Sequence, residues 1–282
     1  MPLSREDILA YPALPVALRQ LAQTFLGVQQ AQPRMAAIFG TQQRWLLAQL
    51  ALAHYFRGIA KSSEFGLQSS HFLDSAVEME IASRNTARAF MNEMLHYGFA
   101  QHIPSADKRF RLMVLMSESI KGIDNWIMVH LVALDAIDQG NRLARYCSTP
   151  EAVVRVQPPI ADLLIQSSAV RAPQTTFSLF TWLNQGGLLM DSLIAGLEQE
   201  AADPERIRTA IDSTQDIAAR LRLSRTHLSR KLREAEDLGS IGWTGARGRS
   251  TLWVSPTFCA EYYGYQAVKL AIIDASFAAA GI

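Results

Sequence analysis

Two stretches of this chain, 141 residues apart, carry the same local punctuation, and that repetition limits what the chain can fold into. Residues 213–239, STQDIAARLRLSRTHLSRKLREAEDLG, read as helix, tight turn, helix. Ser213 is placed to cap a short first helix with Ile217, Ala218 and Leu221 on its inner side, and Leu223 falls in the turn. Ser224 is a second N-cap, since a hydroxyl there accepts one of the N–H groups that open a helix. Leu228, Leu232 and Ala235 then recur at spacings of four and three, which marks one buried face. Gly239 ends the helix. Residues 70–99, SHFLDSAVEMEIASRNTARAFMNEMLHYGF, repeat the scheme with Ser83 as cap, Ala87, Met91 and Met94 as the inner face, and Gly98 as the stop.

Ser83 and Ser224, Arg84 and Arg225, Met91 and Leu232, Glu93 and Glu234, and Gly98 and Gly239 all pair at an offset of 141. Arg34 pairs with Arg171 and Trp45 with Trp182 at 137, and LVALDA (131–136) pairs with LAIIDA (270–275) at 139. A nearly constant offset with small drifts is what duplication followed by loop insertions leaves. The expected organisation is a first repeat over residues 1–146, a linker over 147–159 containing three prolines, and a second repeat over 160–282. Each half would run through an amphipathic helix (16–30; 160–168), a long apolar helix, the helix–turn–helix, a polar hairpin (102–116; 243–254) and a closing apolar helix (120–145; 258–279). RFRLMVLM and STLWVS are short β-favouring runs, and TGARGRS has the glycine content of a turn. Helix–turn–helix followed by a two-stranded hairpin is a winged helix. The expected fold class is therefore mainly α with small β-wings: two winged helix-turn-helix domains joined by long interface helices as an intramolecular pseudo-dimer.

At this point the chain resembles the MarR family of winged-helix transcription regulators. The resemblance is carried by LRLSRTHLSRKLREAEDLGSI (221–241) and the weaker IASRNTARAFMNEMLHYGFA (81–100), each followed by a basic wing. The wing ADKRFRLMVLM (106–116) is similar to that family's, in which an acid precedes the arginine that enters the minor groove; Asp107 and Arg109 would take those places. The second wing, TGARGRST, has no acid there, so Arg247 or Arg249 would lack an orienting partner. The resemblance implies two subunits fused in one chain, a monomeric pseudo-dimer acting on double-stranded DNA. It also implies a small aromatic effector, with Trp45, Trp126, Phe177, Phe180 and Trp182 as pocket candidates; core packing is the stronger reading of each of these residues.

Bulk composition does not announce nucleic acid: the formal net charge is only +1 over 282 residues that are 49% hydrophobic. The basic signal is local. Residues 220–249 hold eight basic and three acidic side chains, and residues 84–111 hold five and two. Arg225, Thr226, Ser229, Arg230 and Arg233 line the outer face of the second helix, and Arg84, Asn85, Arg88 and Asn92 that of the first. Arginine binds guanine O6/N7 and asparagine adenine N6/N7 in a bidentate manner, so these faces suit major-groove readout. Lys108, Arg109 and Arg111 in one wing, and Arg247 and Arg249 in the other, suit phosphates or the minor groove. Two such helices address half-sites roughly 34–36 Å apart. The bland alternative is a solvated basic helix face, and it is stronger for the first half, where charge is thin and Phe90 lies near the outer face.

Enzyme readings have no motif behind them: there is no phosphate-cradling glycine loop, no G-x-S-x-G, no H-E-x-x-H and no CxxC, and the Gly186–Gly187 pair follows no strand. No metal or cofactor is implied. Cys147 and Cys259 are isolated, which fits the cytoplasm. The uncharged run 172–190 reads as a buried helix rather than a membrane span. Asp135 and Asp274, matched between repeats inside apolar helices, read as buried ion-pair partners or a ligand handle. Two other functions stay open: a tandem winged-helix DNA binder of the plasmid replication-initiator kind, and a winged-helix scaffold that binds protein.

Overall fold

The described residues, 1–61, 66–103, 112–173, 175–200 and 202–282 of a computed structural model, are mostly helical with two small antiparallel sheets. In chain order the first elements are α1 (Arg5–Ala10), α2 (Leu14–Ala31), α3 (Pro33–Ile38), α4 (Gln42–Lys61), β1 (Leu67–Gln68), α5 (Ser69–Glu78) and α6 (Arg84–His96). Next come β2 (Ala100–Ile103), β3 (Leu112–Leu115), α7 (Ser117–Asp138), α8 (Arg142–Ser148), α9 (Ala152–Gln166), α10 (Ser168–Arg171), α11 (Thr175–Thr181) and α12 (Gly186–Ala195). The chain closes with β4 (Ile207–Arg208), α13 (Thr214–Arg220), α14 (Arg225–Asp237), β5 (Ile241–Trp243), β6 (Leu252–Val254) and α15 (Pro256–Ala279).

These elements form two compact units that do not follow the expected halves. One unit holds Met1–Ser4, Gln43–Arg171 and Lys269–Ile282; the other holds Arg5–Gln42 and Ala172–Val268. The expected linker, 147–159, is largely helix. α9 runs through Pro158 and Pro159, although an interior proline costs a helix about 3 kcal/mol. Burial outweighs it: Val156, Ile160 and Leu164 are fully enclosed and Ile165 nearly so. In the second unit the apolar face of α2 packs on α12, whose Leu189, Met190, Leu193 and Ile194 are all buried. The amphipathic character of α2 announces burial, but not on which partner.

The uncharged run 172–190 is two helices rather than one. The chain turns between α11 and α12, with Leu183 N–H donating to Phe180 O at 2.9 Å and Gln185 at φ 56°. Gly186 opens α12 because a Cβ there would collide with the Phe180 carbonyl oxygen, so the Gly186–Gly187 pair has a packing reason. No described helix is long and apolar enough to cross a membrane.

The two sheets share one strand plan, β1-β3-β2 and β4-β6-β5, all antiparallel. Their hairpins match the expected strand runs; the third strands, β1 and β4, have two residues each and were too short to leave a pattern. The helix pairs α5–α6 and α13–α14 also share their ends. Ser83 Oγ accepts from Thr86 N and Ser224 Oγ from His227 N. Gly98 and Gly239 adopt φ 74° and 72°, which lets Phe99 N–H reach Met94 O and Ser240 N–H reach Ala235 O. A Cβ at Gly239 would meet nothing within 4 Å, so the cost of Gly239→Ala is conformational alone. That variant is expected to lose about 1 kcal/mol of stability, read as a lowered urea midpoint at unchanged m.

Candidate nucleic-acid interface

In the second unit, Ser213 Oγ accepts from Asp216 N at 3.2 Å and starts α13. Arg222, at φ 53°, turns the chain, and Leu223 N–H closes the turn onto Ala218 O at 2.8 Å. α14 then buries Leu228, Leu232 and Ala235, which turns the other side of the helix outward. Two leucines enclosed in this way stabilise the docked helix by roughly 3–6 kcal/mol in total. Arg225, Thr226, Ser229, Arg230 and Arg233 are all exposed. Arg225 and Arg233 make no ion pair among the described residues, while Arg230 Nε stands 3.8 Å from Glu234. Lys231, 2.6 Å from the same carboxylate, holds Glu234 below the usual carboxylate range.

The hairpin after α14 presents Arg247 and Arg249, both exposed, on its connecting turn. Thr244 N–H donates to Thr251 O at 2.9 Å, and Arg249 N–H to Ala246 O at 3.0 Å. Arg247 does have an acidic partner, contrary to the expectation from its own loop. Its Nε lies 2.7 Å from Glu236 Oε2, on the last turn of α14. The acid comes from the helix rather than from the hairpin, which is why inspection of the wing sequence missed it.

In the first unit, α6 exposes Arg84, Asn85, Arg88 and Asn92. Arg84 is ion-paired to Asp74 on α5, whereas its counterpart Arg225 is not so engaged. Phe90 is not near the outer face: it is 4% exposed, 6.4 Å from Phe72 by ring centroids, with the Arg44 guanidinium 5.9 Å away. Glu93, the partner of Glu234 in the repeat, pairs with Arg44. Asp107, Lys108, Arg109 and Arg111 lie outside the described residues.

The five effector-pocket candidates fall in different units. Trp45 and Trp126 stand half-buried at 5.9 Å in the first unit, and Trp126 packs on His130 at 4.1 Å. His130 is fully enclosed and its Nδ1–H donates to Trp126 O at 2.7 Å; burial pushes its pKa down to about 3, so the ring is neutral. In the second unit Phe177 stacks on Tyr265 at 4.3 Å and Phe180 is completely buried. Trp182 sits in the turn after α11 and is 60% exposed, so it is not a core residue.

Asp135 and Asp274 belong to an ionic cluster in the first unit, with a cation that sequence reasoning missed. Arg142 reaches Asp138 through two bonds of 2.8 Å and Asp274 through Nε at 2.6 Å. Asp135 accepts the backbone N–H groups of Arg142 and Leu143, and Leu3 N–H donates to Asp274 at 2.7 Å. This cluster borders a cavity of about 550 Å³ that also meets Arg145 and Phe277. Each of the three carboxylates shares the Arg142 guanidinium and also accepts a backbone N–H, which is the pattern of structural acids. Among the described residues no group of His, Cys, Asp or Glu is placed to hold a metal ion. No family model, curated protein or solved structure matches this chain.

Proposed function

We propose that this chain is a sequence-specific double-stranded DNA-binding transcription regulator, with α6 and α14 as the recognition helices of two winged helix-turn-helix heads in an internal MarR-like pseudo-dimer. One observation carries the reading. The arginines and hydroxyls of α14 are all turned to solvent on one face, by the burial of the opposite face, with the Arg247–Arg249 hairpin following directly. A helix presented this way suits a major groove, and a basic hairpin beside it suits the flanking backbone or minor groove.

The two heads differ in what they offer. α6 carries Arg84, Asn85, Arg88 and Asn92, with Arg84 partly neutralised by Asp74; α14 carries three arginines and two hydroxyls. Arginine favours guanine and asparagine adenine. The operator is therefore asymmetric, with a G-rich half-site under α14. Control by a small aromatic molecule rests on the MarR resemblance, and the Trp45–Trp126 pair is the place to test it.

Capture of genomic fragments by the pure protein, followed by sequencing and in-vitro selection, tests the reading. The expected result is one enriched, non-palindromic site whose affinity falls steeply with salt, by about 0.9 in log–log slope for each phosphate neutralised. A perfect palindrome overturns the asymmetry, and no enrichment at all overturns the function.

A further inference from the structure

Resting on the reading of α14 and its hairpin as a DNA-binding face, we propose that Glu236 is a positioning residue that aims Arg247 of the hairpin at the duplex. The contact is the 2.7 Å approach of Arg247 Nε to Glu236 Oε2. It engages the inner nitrogen of the guanidinium and leaves the side chain 52% exposed, so the outer N–H groups remain open to a ligand. Glu236 itself is only 26% exposed, and its Oε2 is shielded from water and accepts no aligned hydrogen bond, so the ion pair with Arg247 is what compensates that oxygen's charge.

Two further ties hold the same hairpin. Thr214 N–H, at the start of α13, donates to Gly248 O at 3.3 Å, and Thr251 Oγ1 donates to Asp212 Oδ1 at 2.7 Å. The turn carrying Arg247 is thus fastened to the beginning of α13 and the end of α14 before any DNA arrives. An arginine ordered in advance loses less side-chain freedom on binding. The long-range charge effect has the opposite sign: an acid beside a DNA-binding cation repels phosphate. Positioning and bulk electrostatics therefore predict opposite outcomes when the acid is neutralised.

The test is Glu236→Gln in the full chain, on the duplex selected by the wild type. Positioning predicts binding weakened about 3- to 10-fold, despite the lost negative charge. It also predicts lost hydroxyl-radical protection at the nucleotides under the hairpin, faster amide exchange in residues 244–251, and partial recovery in Glu236→Asp. Adding Arg247→Ala to Glu236→Gln should cost less than Arg247→Ala costs the wild type. Binding by Glu236→Gln as tight as wild type or tighter, with the footprint unchanged, overturns the proposal alone. A wild-type chain that binds no duplex overturns the DNA reading and this inference with it.

Discussion

Replacing Arg225 and Arg230 together by alanine is expected to weaken binding to the selected duplex by at least about 30-fold, since each bidentate arginine contributes about 1–3 kcal/mol of base discrimination and tenfold in affinity is about 1.4 kcal/mol. Both side chains are exposed on α14, and the buried Leu228, Leu232 and Ala235 opposite them are untouched, so the fold should be unaffected. Fluorescence anisotropy at fixed salt measures the loss, and selection with the variant should show relaxed preference in the G-rich half-site. The matching pair in the first unit, Arg84→Ala with Arg88→Ala, should cost less, because Arg84 already has Asp74 as a partner. An affinity unchanged by the Arg225/Arg230 double substitution would reject base readout by α14 and favour a scaffold that binds protein.

The second large effect is on stability. Arg142→Ala removes the cation that faces Asp135, Asp138 and Asp274, with side-chain exposures of only 17%, 16% and 4%. Breaking a buried ionic cluster by removing one partner costs about 3–5 kcal/mol, because the remaining charges are left uncompensated. Urea unfolding should show this as a large drop in midpoint, and Arg142→Lys should restore only part of it, since an ammonium cannot reproduce the two-pronged contact with Asp138. The pH dependence has a definite sign. The Arg142 hydrogen bonds hold the Asp138 carboxyl below its ordinary range. A carboxyl depressed in the folded state contributes stability above its unfolded pKa, about 4, and loses it as pH falls through the folded value. The gap between wild type and Arg142→Ala should therefore narrow as the solution is acidified below about pH 4. A gap that stays constant down to pH 2 would show that the cluster does not act through charge.

What could be read from the chain was what lies within a few residues of itself. Ser224, the Leu228–Leu232–Ala235 stripe and Gly239 constrain one another along a single helix, and each takes the expected role. The misses involve partners distant in sequence or preferences overridden by burial. Arg142 is 132 residues from Asp274, and no local spacing connects them. Glu236 and Arg247 come together only after the hairpin turns back, so neither residue's own neighbourhood in the chain points to the pair. Pro158 and Pro159 looked like linker residues, yet the enclosure of Val156, Ile160 and Leu164 keeps their helix intact. Trp182 was matched to Trp45 by spacing, but the chain breaks after α11 and leaves Trp182 in a turn.

The interleaving of the two units bears on how the chain reaches its fold. Residues 5–42 are completed by residues 172–268, and residues 43–171 by residues 269–282. A ribosome making this chain emits the opening helices of one unit more than a hundred residues before the segment they pack on. The apolar face of α2, with Leu14, Leu18 and Leu21, must wait through that interval. Closing so long a loop costs entropy before any contact rewards it, and long-range closure slows folding. Neither unit can be excised by cutting the chain once, so a single truncation meant to isolate one unit removes part of both cores.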